Sequence, residues 1–581
     1  MRGAVAAMSF DYSRLPREYP RHFLPPRVDL SDWKQLDSLI RELENREIES
    51  KVELEKWLQD ESELGSAYFE EFSVRYIRMT CQTDDPDREK AYLHLVEDIQ
   101  SKAKPRLFAL DRKFLRSTAR EQLSPDYFVL IRRRENNVSL FRQENVELEK
   151  EAAKLEQRSQ KIAGARTVNY DGQERTLQQM AQYQENVNRN LRFETWRLSE
   201  QRRLKDREIM DQIYDELISM RQRIAKNAGF DNYRDYAFRR RERFDYSPQD
   251  CFQFHQAVEE YVVPLVRRSQ EERRERLHVD ELRPWDLLVD PEGLPALHPF
   301  RTSSELMQKC ERIYGRLDSD FEKGFHRIVE LGLIDPDSRP GKAPGGYCVG
   351  LSEIRLPFIF LNLVGRDEDV RTILHESGHA FHTFATRDKD LPFEYCGENV
   401  PSEFAEVASM SMELLGGEHL DETFYNHEDA ARSKQRHLEE IVRLLPWIAT
   451  IDAFQHWIYT NPNHTHEQRE EFWLKLRARF GGIESWDGYE DMQCSFWQRQ
   501  GHLFSAPFYY IEYGIAQLGA LGIWTHYKRD HQGGVQAYKR ALALGGSKPL
   551  PQLFAAADLP FNFGSDIVRK YAHELRAELN L

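Results

Sequence analysis

Residues 374–382 read LHESGHAFH, and this stretch decides how the rest of the chain is interpreted. On a helix, positions four residues apart lie on one face, so His375 and His379 can reach the same ion while Glu376 lies beside it. Mostly apolar residues flank the three polar side chains, which predicts a largely buried helix. Because buried imidazoles and carboxylates need partners, a divalent cation is the interpretation that satisfies all three together.

A third ligand is expected from the following helix, which is predicted over residues 403–415. Glu406 lies there among small and apolar residues, where an unpaired carboxylate would be costly. With Glu406 as the third ligand, a tetrahedral ion keeps one open position, as in a catalytic metal site. Glu403 is the alternative, although its place beside Ser402, a predicted N-cap, already gives it a favourable interaction with the helix dipole. Gly378, between the two histidines, predicts that another chain segment approaches the motif helix closely.

Two more polar residues near the motif have less specific interpretations. His382 continues the stripe of His375 and His379 and is a further candidate ligand, but we favour a histidine satisfied by its helical surroundings. Glu413, two turns beyond Glu406, is interpreted as a group that supports a ligand or forms a salt bridge.

The chain just before the motif changes from helix to loop and strand. Proline and glycine crowd residues 336–346, which predicts a loop. The apolar run at 356–363 then predicts a strand. Gly365 and Arg366 lead into the motif helix with Asp367 as its expected N-cap, and Pro401 and Ser402 open the next helix.

Outward from this centre the chain is predicted to be helical. Segments at about 33–60, 64–80, 88–115, 139–163 and 204–224 are rich in helix formers and carry apolar residues at helical spacing. Asp171 and Gly172 predict the turn of a β-hairpin. The expected fold is a large, mainly α protein with a small β element at the active site. It is divided into an N-terminal helical region, 1–190, and a catalytic region, 191–581.

Composition excludes several other classes of protein. The chain has 581 residues, 40% hydrophobic and 31% charged, as expected for a soluble globular protein. Its net charge of −15 argues against nucleic-acid binding. No run approaches the ~20 apolar residues of a membrane helix, and residues 3–8 are too short for a signal-peptide core. Six scattered cysteines without CxxC pairs predict reduced thiols in the cytoplasm.

The motif helix resembles that of the thimet oligopeptidase and oligoendopeptidase F family of zinc peptidases. Residues 405–409, AEVAS, are similar to the family's third-ligand helix, and 26 residues separate His379 from Glu406. The segments GKAPGGYC at 341–348, PFYYIEY at 507–513 and GGS at 545–547 resemble the oligoendopeptidase F branch. One departure is Phe504, near the place where relatives often carry an additional tyrosine.

The resemblance implies a zinc-dependent endopeptidase with one Zn²⁺ per chain, bound by His375, His379 and Glu406. It also implies a deep central channel between two helical halves, which would restrict substrates to oligopeptides. No nucleic acid or membrane partner is expected.

Catalytic roles are expected for Glu376 and for three residues near the C-terminus. Glu376 is predicted to be the general base that takes a proton from a zinc-activated water and passes it to the leaving amine. The resemblance assigns Tyr513, with Tyr510 and His502, as donors to the developing oxyanion. Without it, packing of an aromatic run is the simpler interpretation. The strand at 356–363 is expected to pair with the substrate backbone.

Two alternatives remain open at this point. A zinc carboxypeptidase of similar helical build would need a cation for the substrate's terminal carboxylate, and none can be assigned from the sequence. A non-catalytic helical scaffold with a fortuitous motif would carry no stoichiometric zinc. Cleavage preference and oligomeric state do not follow from the sequence.

Overall fold

A computed structural model of the chain describes residues 10–421 and 423–581. Helices account for 68% of the chain, which confirms the predicted mainly α class. Residues 3–8, whose prediction concerned a signal peptide, lie outside the described residues. Within the described part, no helix has both the length and the apolar character needed to span a bilayer.

The chain forms two compact units, each assembled from three stretches of sequence. Unit 1 comprises residues 1–138, 297–434 and 519–561, and unit 2 comprises 139–296, 435–518 and 562–581. The division after residue 190 stays a prediction.

Unit 1 is mainly helical and contains the motif helix. Its helices are Trp33–Asn45, Lys51–Cys81, Pro86–Leu93, Gln100–Arg116, Ser303–Leu317, Ser319–Glu330, Asp367–Thr386, Pro392–Tyr395, Ser402–Gly417, His531–Leu542 and Leu550–Ala556.

Unit 2 is also helical. Its helices are Asn145–Gly164, Leu177–Ala181, Arg189–Leu204, Arg207–Asn227, Tyr233–Arg240, Pro248–Tyr261, Val263–Arg276, His466–Phe480, Glu490–Cys494, Gly501–Ser505 and Ser565–Leu579. Three more helices contribute residues to both units: Phe128–Leu140, His427–Thr460 and Tyr510–Arg529.

The predicted hairpin is present in unit 2, where β1 (Thr167–Tyr170) pairs with β2 (Gln173–Thr176). Asp171 and Gly172 both have positive φ, as the tight turn between the strands requires.

A three-stranded sheet in unit 1 carries the predicted strand at 356–363. Its strands are β3 (Ile334–Asp337), β4 (Tyr347–Leu351) and β5 (Leu356–Leu363), in the order β3-β5-β4. β5 runs parallel to β3 and antiparallel to β4. Because β5 lies in the centre, β4 pairs with its residues 356–360 on one edge and β3 pairs with residues 359–363 on the other, so the expectation that the whole strand is open to a substrate is wrong. Edge strands alone can accept another strand.

Helix boundaries near the N-terminus also differ from expectation. The predicted break at residues 61–63 does not exist, since Lys51–Cys81 is one continuous helix. The break falls at residues 46–50 instead, because Ser50 and Glu53 form a capping box that starts the second helix there.

One buried polar cluster in unit 1 is centred on Arg134, whose side chain is 4% exposed. Its guanidinium is 2.7 Å from a Glu61 oxygen, 2.8 Å from Glu394 and 3.6 Å from Asp111. We call these four residues the Arg134 cluster. Charge-assisted hydrogen bonds to Glu61 and Glu394, and a longer ion pair with Asp111, join helices that are far apart in sequence.

The motif helix, Asp367–Thr386, packs on β5 and on the helix Ser402–Gly417, which we call the Glu406 helix. Seven of the eight β5 residues are buried, as an apolar run in a covered central strand requires. The sheet and the Glu406 helix therefore hold the motif helix on two sides.

Candidate metal centre

The motif helix begins at a well-defined turn. The Asp369 carboxylate accepts the backbone N–H groups of Val364, Gly365 and Arg366 at 2.8, 2.7 and 2.9 Å. Arg366 is the N-cap residue, so the expectation that Asp367 caps the helix is wrong. Asp369, one turn in, satisfies the free N–H groups instead, and its negative charge suits the helix N-terminus.

The motif places its polar side chains at different depths. The side chains of His375 and His379 are 25% and 22% exposed, which lets both ring edges face accessible space. Glu376, between them in sequence, is buried at 6% exposure.

The Glu406 helix meets the motif helix at Gly378. A Cβ atom at Gly378 would lie 2.5 Å from the Ala408 carbonyl oxygen and 2.6 Å from Cα of Ser409, so no side chain fits there. The predicted close approach is confirmed, and the approaching segment is the helix that carries Glu406. The helix starts at Ser402 as expected, but its N-cap is Pro401 and not Ser402.

This contact brings the three predicted ligands together. The Nε2 atoms of His375 and His379 lie 3.5 and 3.7 Å from Oε2 of Glu406. Ligand atoms ~2.0–2.1 Å from a tetrahedral zinc ion would be separated by about 3.4 Å. The Ser409 hydroxyl donates to the same Glu406 oxygen at 2.9 Å and so orients the carboxylate. Two imidazoles and one carboxylate at this spacing fit a single metal ion.

Glu413 contacts the first predicted ligand, His375, as the sequence suggested. Its Oε1 atom is 2.7 Å from Nδ1 of His375. A proton on Nδ1 leaves the Nε2 lone pair directed towards Glu406, which is the tautomer a metal ligand needs. Burial lowers the pKa of His375, but the hydrogen bond to Glu413 and the charges of Glu413, Glu406 and Glu376 outweigh it and raise the pKa to about 10. Metal binding therefore has to displace a proton from Nε2, because a metal ligand needs the free lone pair.

Glu376 has the environment of a proton acceptor near neutral pH. Burial raises its pKa to about 7; His375 opposes this shift, and the charges of Glu406 and Glu413 add to it. A carboxyl group with a pKa near the working pH can both accept and release a proton.

The two rival candidates lie outside the ligand group. Glu403 is buried on the Glu406 helix but is not among the three residues whose donor atoms lie within 4.8 Å of one another. His382 is 5% exposed, and burial lowers its pKa to about 3, so its ring is neutral. A backbone hydrogen bond with Leu542 opposes this lowering of its pKa.

The predicted oxyanion donors belong to unit 2, where they form an aromatic group with Tyr509. The His502 ring is 5.1 Å from the Tyr510 ring and 6.1 Å from the Tyr513 ring. Gln500, which the sequence did not single out, links the group. Its amide nitrogen is 2.7 Å from Nδ1 of His502, and its amide oxygen accepts a hydrogen bond from the Tyr510 hydroxyl at 2.9 Å. Its place two residues before His502 is the only signal that the sequence offers.

A second feature that was missed is strand β4. Tyr347 and Cys348, which follow the predicted loop, belong to this edge strand, which contacts the motif helix. Burial, with the charge of Glu376, raises the pKa of the Cys348 thiol well above its usual value. β4 is therefore an edge strand beside the general-base candidate.

The fold and the candidate ligand set together resemble those of helical metallopeptidases. Residues 182–572 match peptidase family M3, and since this is more than half of its length, the chain belongs to that family.

Known proteins agree with the resemblance to oligoendopeptidase F. The "Oligoendopeptidase F homolog" of Borreliella burgdorferi is 26% identical over 309 residues, 50% of this chain and 49% of that protein. "Oligopeptidase PepF" of Bacillus subtilis is 27% identical over 303 residues, 49% of this chain and 42% of its own length. The matched part thus spans half or less of these curated relatives.

Solved structures extend the likeness to nearly the whole chain. A structure described as "PZ PEPTIDASE A with inhibitor 2" superposes with a TM-score of 0.88 and 27% identity. It covers 95% of this chain and 98% of the other.

Proposed function

We propose that this protein is a zinc-dependent oligoendopeptidase that hydrolyses internal peptide bonds of short peptides. The observation that carries the proposal is the convergence of His375, His379 and Glu406 beside the buried Glu376. Membership of peptidase family M3 supports it.

The donor set suits one zinc ion per chain, since two neutral imidazoles and a carboxylate are common catalytic ligands of zinc. When bound, zinc supplies Lewis acidity, which polarises a carbonyl group and makes water more acidic. Glu413 holds the His375 ring and Ser409 holds the Glu406 carboxylate, so both ligands are oriented before the ion arrives.

Glu376 is proposed as the general base, and its carboxylate would take a proton from water and deliver it to the leaving amine. Burial excludes competing solvent and keeps the carboxyl group near the pKa at which it can do both. Tyr513, Tyr510 and His502 are proposed as hydrogen-bond donors to the carbonyl oxygen of the reacting peptide.

The substrate is proposed to be an extended oligopeptide that pairs with edge strand β4. Main-chain pairing gives affinity with little dependence on sequence. Strand β4 takes the role expected of β5, because it lies at the sheet edge and contacts the motif helix. The names of the relatives, oligoendopeptidase and oligopeptidase, agree with this substrate class.

A cytoplasmic location is part of the proposal. All six cysteines are free thiols, as a reducing compartment requires.

The test uses a fluorogenic peptide blocked at both ends, together with metal analysis of the purified chain. We expect zinc and cleavage in the wild type, and a loss of turnover of at least ~10²–10⁴-fold with zinc retained in Glu376→Gln. Glu368→Gln, on the same helix at 65% side-chain exposure, is the matched control and should keep full activity.

Each competing reading gives a different result. Cleavage only of peptides with a free C-terminus would indicate a carboxypeptidase. A metal-free, inactive wild type would indicate a scaffold, and near-normal activity of Glu376→Gln would remove Glu376 from the mechanism.

A further inference from the structure

Unit 2 contains a second set of side chains with the chemistry of metal ligands. Cys251 and His255 are four residues apart on the helix Pro248–Tyr261, and Asp452 and His456 are four residues apart on a long second helix. Each pair therefore lies on one helix face. Facing helices that each present such a pair are a known way to build a metal site in a helical protein.

The four side chains converge. One donor atom each of Cys251, Asp452 and His456 lies within 4.8 Å of the others. Nε2 of His255 is 2.8 Å from Oδ2 of Asp452 in a buried hydrogen bond. Nε2 of His456 is 3.2 Å from the same oxygen, but without the alignment that a hydrogen bond needs.

Polar atoms in this group are buried without partners. Cys251 and Asp452 are 0% exposed, and His456 is 3% exposed. Among the described residues, Oδ1 of Asp452 and both ring nitrogens of His456 have no hydrogen-bond partner. Unpaired polar atoms in the interior cost about 1–3 kcal/mol each, so a site with three of them calls for an explanation.

The surroundings of the His456 ring are mainly aromatic. Aromatic rings approach the His456 ring from several sides, with centroid distances of 4.8 to 5.8 Å: Phe238, Phe252 and Phe508. In the described part of the chain, this aromatic shell supplies no hydrogen-bond partner for the ring nitrogens of His456.

We propose that Cys251, Asp452 and His456 bind a second zinc ion, which links the two helices in unit 2. A divalent ion with one thiolate and one carboxylate has no net charge, which is the least costly arrangement to bury. Binding requires the thiolate form, so the proton of Cys251 is released to solvent. The pairing of a thiolate with an imidazole favours zinc over magnesium or calcium.

His255 is a positioning residue in this site. By hydrogen bonding to Oδ2 of Asp452 it fixes the orientation of the carboxylate and leaves Oδ1 without a hydrogen-bond partner. Carboxylate–histidine pairs of this kind orient metal ligands in known sites.

The first experiment measures metal content of the full chain, expressed in zinc-supplemented medium so that the ion is incorporated during folding. His375→Ala/His379→Ala removes two ligands of the proposed catalytic ion. We expect about one zinc per chain to remain in this double variant, because the second site keeps all three of its ligands and lies buried away from solvent. A metal-free double variant would overturn the second site and leave the proposed function intact.

The second experiment assigns the ion to the thiol. Protein expressed with Co²⁺ should show the near-ultraviolet charge-transfer absorption of a cobalt–thiolate bond, which the proposed catalytic ligands cannot produce. Cys251→Ser should abolish the band. The matched control Cys310→Ser, another fully buried cysteine, should keep it.

Absence of the band in the wild type, or its survival in Cys251→Ser, would overturn the proposal. The metal count of the double variant and the wild-type spectrum do not depend on whether a unit 2 variant folds. An ordinary buried polar cluster would give no second zinc and no cobalt–thiolate band.

Discussion

Two buried groups of acids in unit 1 show how the chain treats carboxylates that it removes from water. In the Arg134 cluster, Glu61, Asp111 and Glu394 surround one guanidinium. Burial raises the pKa of Glu61 to about 7 and that of Asp111 to about 6, while Arg134 opposes both shifts. The chain supplies its own permanent cation there.

At the candidate metal centre, imidazole nitrogens approach a carboxylate instead. His375 and His379 approach its Oε2 atom, and Glu376 and Glu413 add further negative charge nearby. An imidazole offers either a proton or a lone pair, whereas a guanidinium is always charged and never a ligand.

The difference separates a structural ion cluster from a site built to recruit an external cation. Acid content alone does not distinguish the two groups. The type of nitrogen that faces the acids does, because only an uncharged imidazole nitrogen can share a metal ion with a carboxylate.

The largest expected effect comes from removing the acid that the imidazoles share. Glu406→Ala should release zinc and lower turnover by more than the ~10²-fold typical of an outer support residue. Metal analysis and the blocked peptide measure both. Glu403→Ala, an equally buried neighbour on the same helix, should keep its zinc. The reverse pattern would make Glu403 the ligand and break the comparison.

In the Arg134 cluster the corresponding change should damage stability and leave metal content unchanged. Arg134→Met leaves buried acids without their cation, which costs about 3–5 kcal/mol of unfolding free energy. Urea unfolding measures this, with Arg120→Met as control, because the Arg120–Glu135 pair is partly exposed and such pairs contribute at most about 1 kcal/mol. Equal stability losses in both variants would contradict the assigned role.

A smaller effect is expected from changing Glu413, whose carboxylate contacts the ring of the candidate ligand His375. Glu413→Gln keeps a hydrogen-bond acceptor for His375 but removes the charge, so zinc affinity should fall about 10–100-fold. Competition with a chelator measures it. The control is Glu418→Gln. Glu418 lies five residues after Glu413 and accepts a hydrogen bond from the Trp524 ring N–H, so this change should leave the zinc affinity unchanged. An unaltered affinity in Glu413→Gln would mean that orientation of the ring depends on packing alone.

Local patterns predicted much of the metal centre. The spacing of His375 and His379 follows from helix periodicity, and the apolar run of β5 and the turn at Asp171 are equally local signals. Glu406 was predicted because an acid among apolar residues needs a partner. Gly378 was predicted to allow a close approach, but the sequence did not say which segment approaches.

Features that depend on distant pairing were missed. The central place of β5 requires β3 and β4 on either side, and no pattern within β5 indicates how many neighbours it has. The convergence of Cys251 with Asp452 joins positions two hundred residues apart, which one-dimensional spacing does not reveal. The N-cap of the motif helix was wrongly assigned to Asp367 because the sequence offers two suitable acids there, Asp367 and Asp369. Only the backbone conformation of the turn before the helix distinguishes their roles.

The contact at Gly378 fixes the distance between the two helices that carry the candidate metal ligands. Where two helices touch through side chains, their separation changes whenever a core residue is exchanged or hops between rotamers. Here the spacer is the peptide backbone itself, since the Ala408 carbonyl and Ser409 Cα occupy the place of a methyl group. The distances between the candidate ligands should therefore tolerate substitutions among the surrounding hydrophobic residues. One added carbon atom at position 378, in contrast, would push the two helices apart and move Glu406 away from the imidazoles of His375 and His379.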